Sequence, residues 1–295
     1  MTDGPGAGGR GPAGAAPLTV RSLLFVPGGR PDMVAKVPRW SPDVTVVDLE
    51  DAVAPGDKER ARQAAVSAIA GLAAGPGRGL TLLIRVNPPG SPWFTADVAA
   101  AAGSRAAGVV LPKLEDPAQV AELRRLLAGH GRPDAVVVAG LETAPGVAAA
   151  RALLASGVSA AYFGAEDYIA DLGGRRTPGG QEVLYARSQV VLAARLCGVP
   201  AIDQAVVAVH DEQAFADDAA AGRSLGYTGK ICLHPQQVAR AHQVFTPSPE
   251  EVAHARAVLA AAGSGVGVVD GEMVDEVHAK MAAAVLRRAG EQSPG

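Results

Sequence analysis

Short, predominantly apolar runs recur along this chain, each followed by a helix-like segment, and that alternation limits the fold more than any other feature. The runs are Arg21 to Val26, Val44 to Leu49, Leu80 to Val86, Gly108 to Leu111, Val136 to Leu141, Ala160 to Phe163, Val199 to Val206 and Gly229 to Leu233. Strands buried on both faces read in this way, because no side of them meets water. Eight alternations within 295 residues predict an α/β chain folded as a (β/α)8 TIM barrel, for which about 250 residues is typical. An open doubly wound sheet is the alternative.

In such a barrel a charge is tolerated where a strand leaves the core at its carboxyl end, the face on which barrel enzymes carry their chemistry. Two neighbouring runs end in acids: one in Glu142, the other in Glu166 and Asp167 after Gly164 and Ala165. Glu142 and Asp167 offer hard oxygen ligands suited to Mg²⁺, which binds through one or two carboxylates and fills its other positions with water and substrate. Either acid taken alone could instead cap the helix that follows it.

The other strand ends extend the inventory. The second carries Asp48, Glu50 and Asp51, the third Arg85 and Asn87, the fourth Lys113, the seventh Asp203 and the eighth His234. Arg85 could pair with Glu50 across the barrel top. Lys113 could form a Schiff base, Asp203 could stand behind the site or cap a helix, and His234 reads as a hydrogen-bonding residue. Asp57 is expected to cap a helix burying Ala61, Ala65, Ile69 and Leu72, and Asp116 followed by Pro117 to start another.

Composition narrows the partners. A formal charge of −3, with lysines and arginines spread along the chain, gives no basic stripe for nucleic acid and no polybasic membrane patch. No uncharged apolar run approaches the ~20 residues that cross a bilayer, so small molecules are the expected partners. The two cysteines, Cys197 and Cys232, sit in no metal or disulfide pattern, which fits a reducing, cytoplasmic setting. Residues 1–17 are mostly Gly, Ala and Pro and are expected to be a disordered tail. Residues 18–262 are expected to form the barrel, and 263–295 a glycine hinge with a C-terminal helical lid.

Eight stretches, RSLLFVPGGRPDMVAK, DLEDAVAPGDKERAR, LLIRVN, VLPKLED, GLETAPGV, FGAEDYIADLG, GYTGKICLHPQQV and DGEMVDE, run in this order from Arg21 to about Glu276. Together they resemble the citrate lyase beta-subunit, malyl-CoA and citramalyl-CoA lyase family of Mg²⁺-dependent carbon–carbon lyases. The resemblance implies Mg²⁺ on Glu142 and Asp167, and Arg85 holding the carboxylate or carbonyl end of a keto acid. It implies Phe25, Arg30 and Lys36 as further substrate contacts, the cations suiting the phosphates of coenzyme A. It assigns acid/base work to Asp275, reached from an adjoining subunit of a trimer or hexamer. Glu50 and Asp51 match an acidic pair able to position water or a proton; related aldolases have histidine at Asp51.

Cleaving a 3-hydroxyacyl thioester between C2 and C3 leaves an enolate and a carbonyl, so a site must stabilise charge on oxygen and move one proton. Four enzymatic readings follow: a stand-alone lyase for a short acyl-CoA, the lyase subunit of a citrate lyase complex, an aldolase for free hydroxy-keto acids, and a malyl-CoA thioesterase. The aldolase is disfavoured by Asp51 and by the DGEMVDE segment. A non-catalytic binding protein is the remaining alternative.

Overall fold

A computed structural model describes residues 20–75, 77–262 and 265–290. The expected tail over residues 1–17, and Gly263 and Ser264 of the expected hinge, lie outside the described residues. The described residues fall into two compact units, one up to Ala241 and one from His242 onward.

The first unit is a closed parallel barrel of β1 (Ser22–Pro27), β2 (Val44–Asp48), β3 (Thr81–Arg85), β4 (Gly108–Leu111), β5 (Val136–Leu141), β6 (Ala160–Phe163), β7 (Ala201–Asp203) and β8 (Gly229–Cys232), with β8 pairing back to β1. This is the (β/α)8 barrel expected from the alternation. Its helices are α1 (Pro31–Val34), α2 (Lys58–Ala74), α3 (Phe94–Gly103), α4 (Pro117–Gly129), α5 (Ala144–Ala148), α6 (Ala150–Leu154), α7 (Ala165–Asp171), α8 (Gln181–Cys197) and α9 (Glu212–Leu225), followed by α10 (Gln236–Phe245).

Side chains alternate across each strand, so every second residue enters the barrel. Leu23, Val44, Val46, Leu83, Val110, Val138, Ala160, Tyr162, Ile202 and Ile231 form one buried cluster that plugs the interior. Two residues farther along, the same inward phase turns polar: Val46 is followed by Asp48, and Leu83 by Arg85. Register puts Pro27 beside Asp48 and Asp48 beside Arg85, so the polar layer forms at one level across neighbouring strands.

Two local expectations change. The seventh strand is shorter than Val199 to Val206, because Pro200 has no N–H for a ladder; its carbonyl accepts from Ala161 N (3.0 Å) and pairing begins at Ala201. Asp57 stands at the start of α2, but its carboxylate bonds Arg60 (2.8 Å) and caps nothing. Asp116 behaves as expected: it accepts from Ala118 N (2.8 Å), Gln119 reaches back to close a capping box, and Pro117 opens α4.

In the second unit, α11 (Pro249–Ala262) and α12 (Glu276–Arg288) share a core of Val252, Ala255, Val258, Val274, Ala282 and Leu286. Between them β9 (Gly267–Val269) and β10 (Glu272–Val274) form an antiparallel hairpin. Its turn, Asp270-Gly271, has φ of 51° and 84°, the left-handed pair that a tight hairpin favours. Among the described residues no helix is long and apolar enough to cross a membrane.

Candidate active site

A cavity of about 400 Å³ opens where the strands carry their polar ends, and its walls include Phe25, Asp48, Asp51, Arg85, Glu142, Tyr162 and Asp167. It draws together five of the residues singled out from sequence: Phe25, Asp51, Arg85, Glu142 and Asp167.

Arg85 is fixed on three sides. Its Nε and Nη2 donate to the two oxygens of Asp48, each at 2.7 Å. Nη1 lies 2.8 Å from Glu50 Oε2 and 3.6 Å from Asp51 Oδ2. The ring of Phe25 stacks 5.1 Å from the guanidinium carbon, a cation–π contact. Burial alone would lower the pKa of Arg85, but the charge and hydrogen bonds of Asp48 outweigh it and hold it well above its ordinary value. Asp48 is saturated, since it also accepts from the backbone N–H groups of Glu50 (2.9 Å) and Ala52 (3.1 Å).

The loop after β2 is pinned from below. Lys58, buried at the start of α2, donates to the carbonyls of Leu49 and Glu50 (2.8 Å each) and to Asn87 Oδ1 (2.7 Å). Glu50 is thereby held under the barrel mouth, where burial raises its pKa despite Arg85 and Lys113 nearby.

Glu142 is almost wholly buried. Its Oε1 accepts from the backbone N–H of Lys113 (2.8 Å), and the Tyr162 hydroxyl approaches both oxygens at 3.2 and 3.1 Å. Burial first, with Glu50 and Asp167 adding to it and Arg85 opposing, pushes its pKa up to about 7. Gly164 makes room for it: a Cβ there would lie 2.5 Å from Glu142 Cβ. Asp167, in the first turn of α7, is 3.6 Å from Lys113 Nζ. Its neighbour Glu166 is held by Arg176 at 3.1 Å.

Lys113 Nζ lies 2.6 Å from Glu50 Oε1 and 3.4 Å from Asp51 Oδ1. Burial opposes its charge, but the hydrogen bond and charge of Glu50 prevail and raise its pKa. Ion-paired with acids and not set in an apolar pocket, this amine lacks the surroundings that activate a lysine nucleophile, so nothing here supports the Schiff-base alternative.

Other expected residues stand elsewhere. Arg30 pairs with Asp32 (2.8 Å) and Lys36 lies 4.0 Å from the same acid, both exposed and outside the cavity lining. Asp203 neither caps a helix nor faces the cavity: behind the barrel wall it pairs with Arg187 and Lys230, and Lys230 also pairs with Asp218. His234 stacks edge-on against His210. Asp275, in the second unit, caps α12 by accepting from Val277 N (2.9 Å) and His278 N (3.3 Å), and meets His278 Nδ1 at 2.7 Å.

Lys58 and Tyr162 were not singled out for roles from sequence, and Asp48 was named only as one of the acids at the second strand end. Asp48 carried a signal, since it ends an apolar run as Arg85 does. Tyr162 carried none, reading as one more apolar residue of a strand.

The donor set suits a hard divalent cation. Glu142 and Asp167 are two carboxylates on one cavity, the hard oxygen donors that such an ion takes. Among the described residues no three His, Cys, Asp or Glu side chains form a ready cage, so solvent and substrate would complete the coordination.

The sequence pattern of the HpcH/HpaI aldolase/citrate lyase group matches residues 21–235. The chain belongs to the HpcH/HpaI aldolase/citrate lyase family. Within it, a citrate lyase subunit beta-like protein of Deinococcus radiodurans is 48% identical over 272 residues, covering 89% of this chain and 94% of the relative. A (3S)-malyl-CoA thioesterase of Cereibacter sphaeroides is 32% identical over 276 residues, covering 91% and 94%. The crystal structure of the protein CitE from Mycobacterium tuberculosis, in complex with magnesium, acetoacetate and coenzyme A, superposes with a TM-score of 0.80 at 34% identity, covering 94% of this chain and all of that one.

Proposed function

We propose that this HpcH/HpaI-family enzyme is a Mg²⁺-dependent carbon–carbon lyase for a short 3-hydroxyacyl-CoA such as citramalyl-CoA or malyl-CoA, giving acetyl-CoA and a keto acid. The observation that carries the reading is that Arg85, gripped by Asp48, borders the same cavity as Glu142 and Asp167. A fixed guanidinium beside two hard oxygen ligands is the pairing that an α-keto or α-hydroxy carboxylate needs. The CitE structure with magnesium, acetoacetate and coenzyme A supports the same substrate class.

Glu142 and Asp167 would hold Mg²⁺. When bound, it supplies a Lewis acid for the hydroxyl and nascent carbonyl oxygens of the substrate. Arg85 binds and orients the carboxylate, and Phe25 and Tyr162 form the apolar wall beside it. Asp51, with Glu50 beside it, is our candidate to receive the hydroxyl proton as the C2–C3 bond breaks. The electrons of that bond pass to the acetyl fragment as an enolate, and Asp275 of a neighbouring copy returns one proton to its carbon. A trans-acting Asp275 requires an oligomer, a trimer or hexamer in this reading. Arg30 and Lys36 would meet the coenzyme A phosphates by exchanging Asp32 for them. The unpaired Cys197 and Cys232 are in keeping with a cytoplasmic setting.

A thioesterase is the second reading, supported by the malyl-CoA thioesterase relative. A carrier-dependent citrate lyase subunit is the third. Mass spectrometry of products from citramalyl-CoA, malyl-CoA and free citramalate, with Mg²⁺ or with EDTA, separates them. Acetyl-CoA plus a keto acid, suppressed by EDTA, is the expected result. Free CoA with the diacid intact would mean a thioesterase, and silence on all three would point to a carrier-bound substrate.

A further inference from the structure

We infer that Lys113 is the resident counter-cation beside the Glu142–Asp167 site: its ammonium offsets the charge of Asp167 and of its neighbours Glu50 and Asp51 while the metal is absent, gives way when a divalent cation binds, and so sets the affinity for that cation. The inference rests on the reading of Glu142 and Asp167 as metal ligands.

Three observations converge on it. Lys113 has φ of 48° and is, among the described residues, one of three non-glycine residues with positive φ, beside Ser41 and Asp270. That conformation is costly for a residue with a Cβ, and such strain gathers where function requires it. Second, the left-handed turn lets one residue serve both candidate ligands: its N–H bonds Glu142 Oε1 at 2.8 Å, while its Nζ reaches to 3.6 Å from Asp167 Oδ1. Third, charge balance at the mouth depends on it. Arg85 is shared among Asp48, Glu50 and Asp51, and Lys113 Nζ is shared among Glu50 (2.6 Å), Asp51 (3.4 Å) and Asp167 (3.6 Å). Among the described residues Lys113 is the cation within ion-pair distance of Asp167.

The two halves of Lys113 separate chemically. Its backbone N–H will stay on Glu142 whatever the side chain does. Its ammonium is a point charge on a flexible stem, with 29% of the side chain exposed and its shortest contact to Glu50 (2.6 Å), so that it can leave Asp167 (3.6 Å) for Glu50. A dication entering between Glu142 and Asp167 would meet the full repulsion of that charge at close range.

The test is calorimetric titration of MgCl₂ into the full-length protein stripped of metal, as wild type, Lys113→Met and Lys113→Arg. Removing the ammonium in Lys113→Met is expected to tighten Mg²⁺ binding by about 10-fold or more, and to lower the melting temperature in EDTA. Lys113→Arg, which keeps the charge, is expected to gain no affinity. Equal or weaker binding by Lys113→Met would overturn the inference while leaving the ligand reading intact. No Mg²⁺ binding by the wild type would overturn the ligand reading, and this inference with it. Should Lys113→Met not fold, the wild type still decides. Acetylation of Lys113, followed by peptide mass spectrometry, is expected to run at least roughly threefold faster in Mg²⁺ than in EDTA, because the ammonium is released from its carboxylates. An unchanged rate would count against the inference as decisively as unchanged affinity.

Discussion

Asp48 and Arg85 sit side by side on paired strands and meet through two parallel hydrogen bonds of 2.7 Å. Asp48 spends its remaining capacity on the N–H groups of Glu50 and Ala52, so one carboxylate sets both the guanidinium and the loop after β2. Asp48→Asn replaces one of those acceptors by a donor facing Arg85. We expect kcat/KM to fall by about 10²-fold, the scale on which misplaced catalytic groups are felt, with Mg²⁺ affinity little changed. Steady-state kinetics and metal titration on the same preparation check both halves.

Glu142→Gln and Asp167→Asn are each expected to abolish activity together with its metal dependence, since each removes one of the two anionic ligands proposed for Mg²⁺. The measurement is activity after EDTA treatment and Mg²⁺ add-back. Full wild-type activity in EDTA would sink the metal reading outright.

Asp275→Asn separates chemistry from folding. Asparagine caps helices about as well as aspartate, so α12 should keep its start and the melting temperature should hold. Turnover is expected to drop by about 10²-fold, the usual scale for a general acid or base, and undiminished turnover would remove Asp275 from the mechanism.

Gly222 inverts a common rule. Alanine normally improves a helix over glycine, but a Cβ at position 222 of α9 would stand 2.8 Å from Asp203 Cγ and 3.1 Å from Arg187 Nη2. It would force apart a buried ion pair, so Gly222→Ala is expected to cost at least about 2 kcal/mol. Urea unfolding measures it, and a neutral or stabilising result would contradict the packing.

Acid should weaken the same cluster. Burial raises the pKa of Asp218, but Lys230 and Arg187 outweigh it and hold it below the ordinary carboxylate value. A depressed folded pKa contributes stability that is fully present above the unfolded value of about 3.9 and lost as pH falls through the folded one. Unfolding midpoints of wild type and Asp218→Asn, compared from pH 6 to pH 3, should therefore converge below about pH 4. A gap that stays constant would mean that Asp218 contributes no pH-dependent stability.

The barrel was legible because strands covered on both faces leave short apolar words in the sequence, and Glu142 and the Glu166-Asp167 pair stood out as the charges that follow two of them. Asp116 and Pro117 announced α4 for an equally local reason. What the sequence hid is relational. The grip of Asp48 on Arg85 comes from register between strands 37 residues apart, and Tyr162 looks like core until it is found against Glu142. Asp203 looked like a site residue because it ends a strand; its outward phase sends it behind the wall, to Arg187 and Lys230. Lys113 gave no sign of its left-handed backbone, since only the fold decides which residue absorbs that turn.

Gly164 has a consequence for how this site can change over generations. Its missing side chain is the space in which Glu142 stands, so a larger residue at 164 and a carboxylate at 142 exclude each other. The two positions are therefore coupled by volume: bulk gained at 164 would push the Glu142 carboxylate out of its place, and loss of the acid would leave a gap that a larger residue could fill. An absent side chain thus sets the position of a carboxylate 22 residues earlier in the chain.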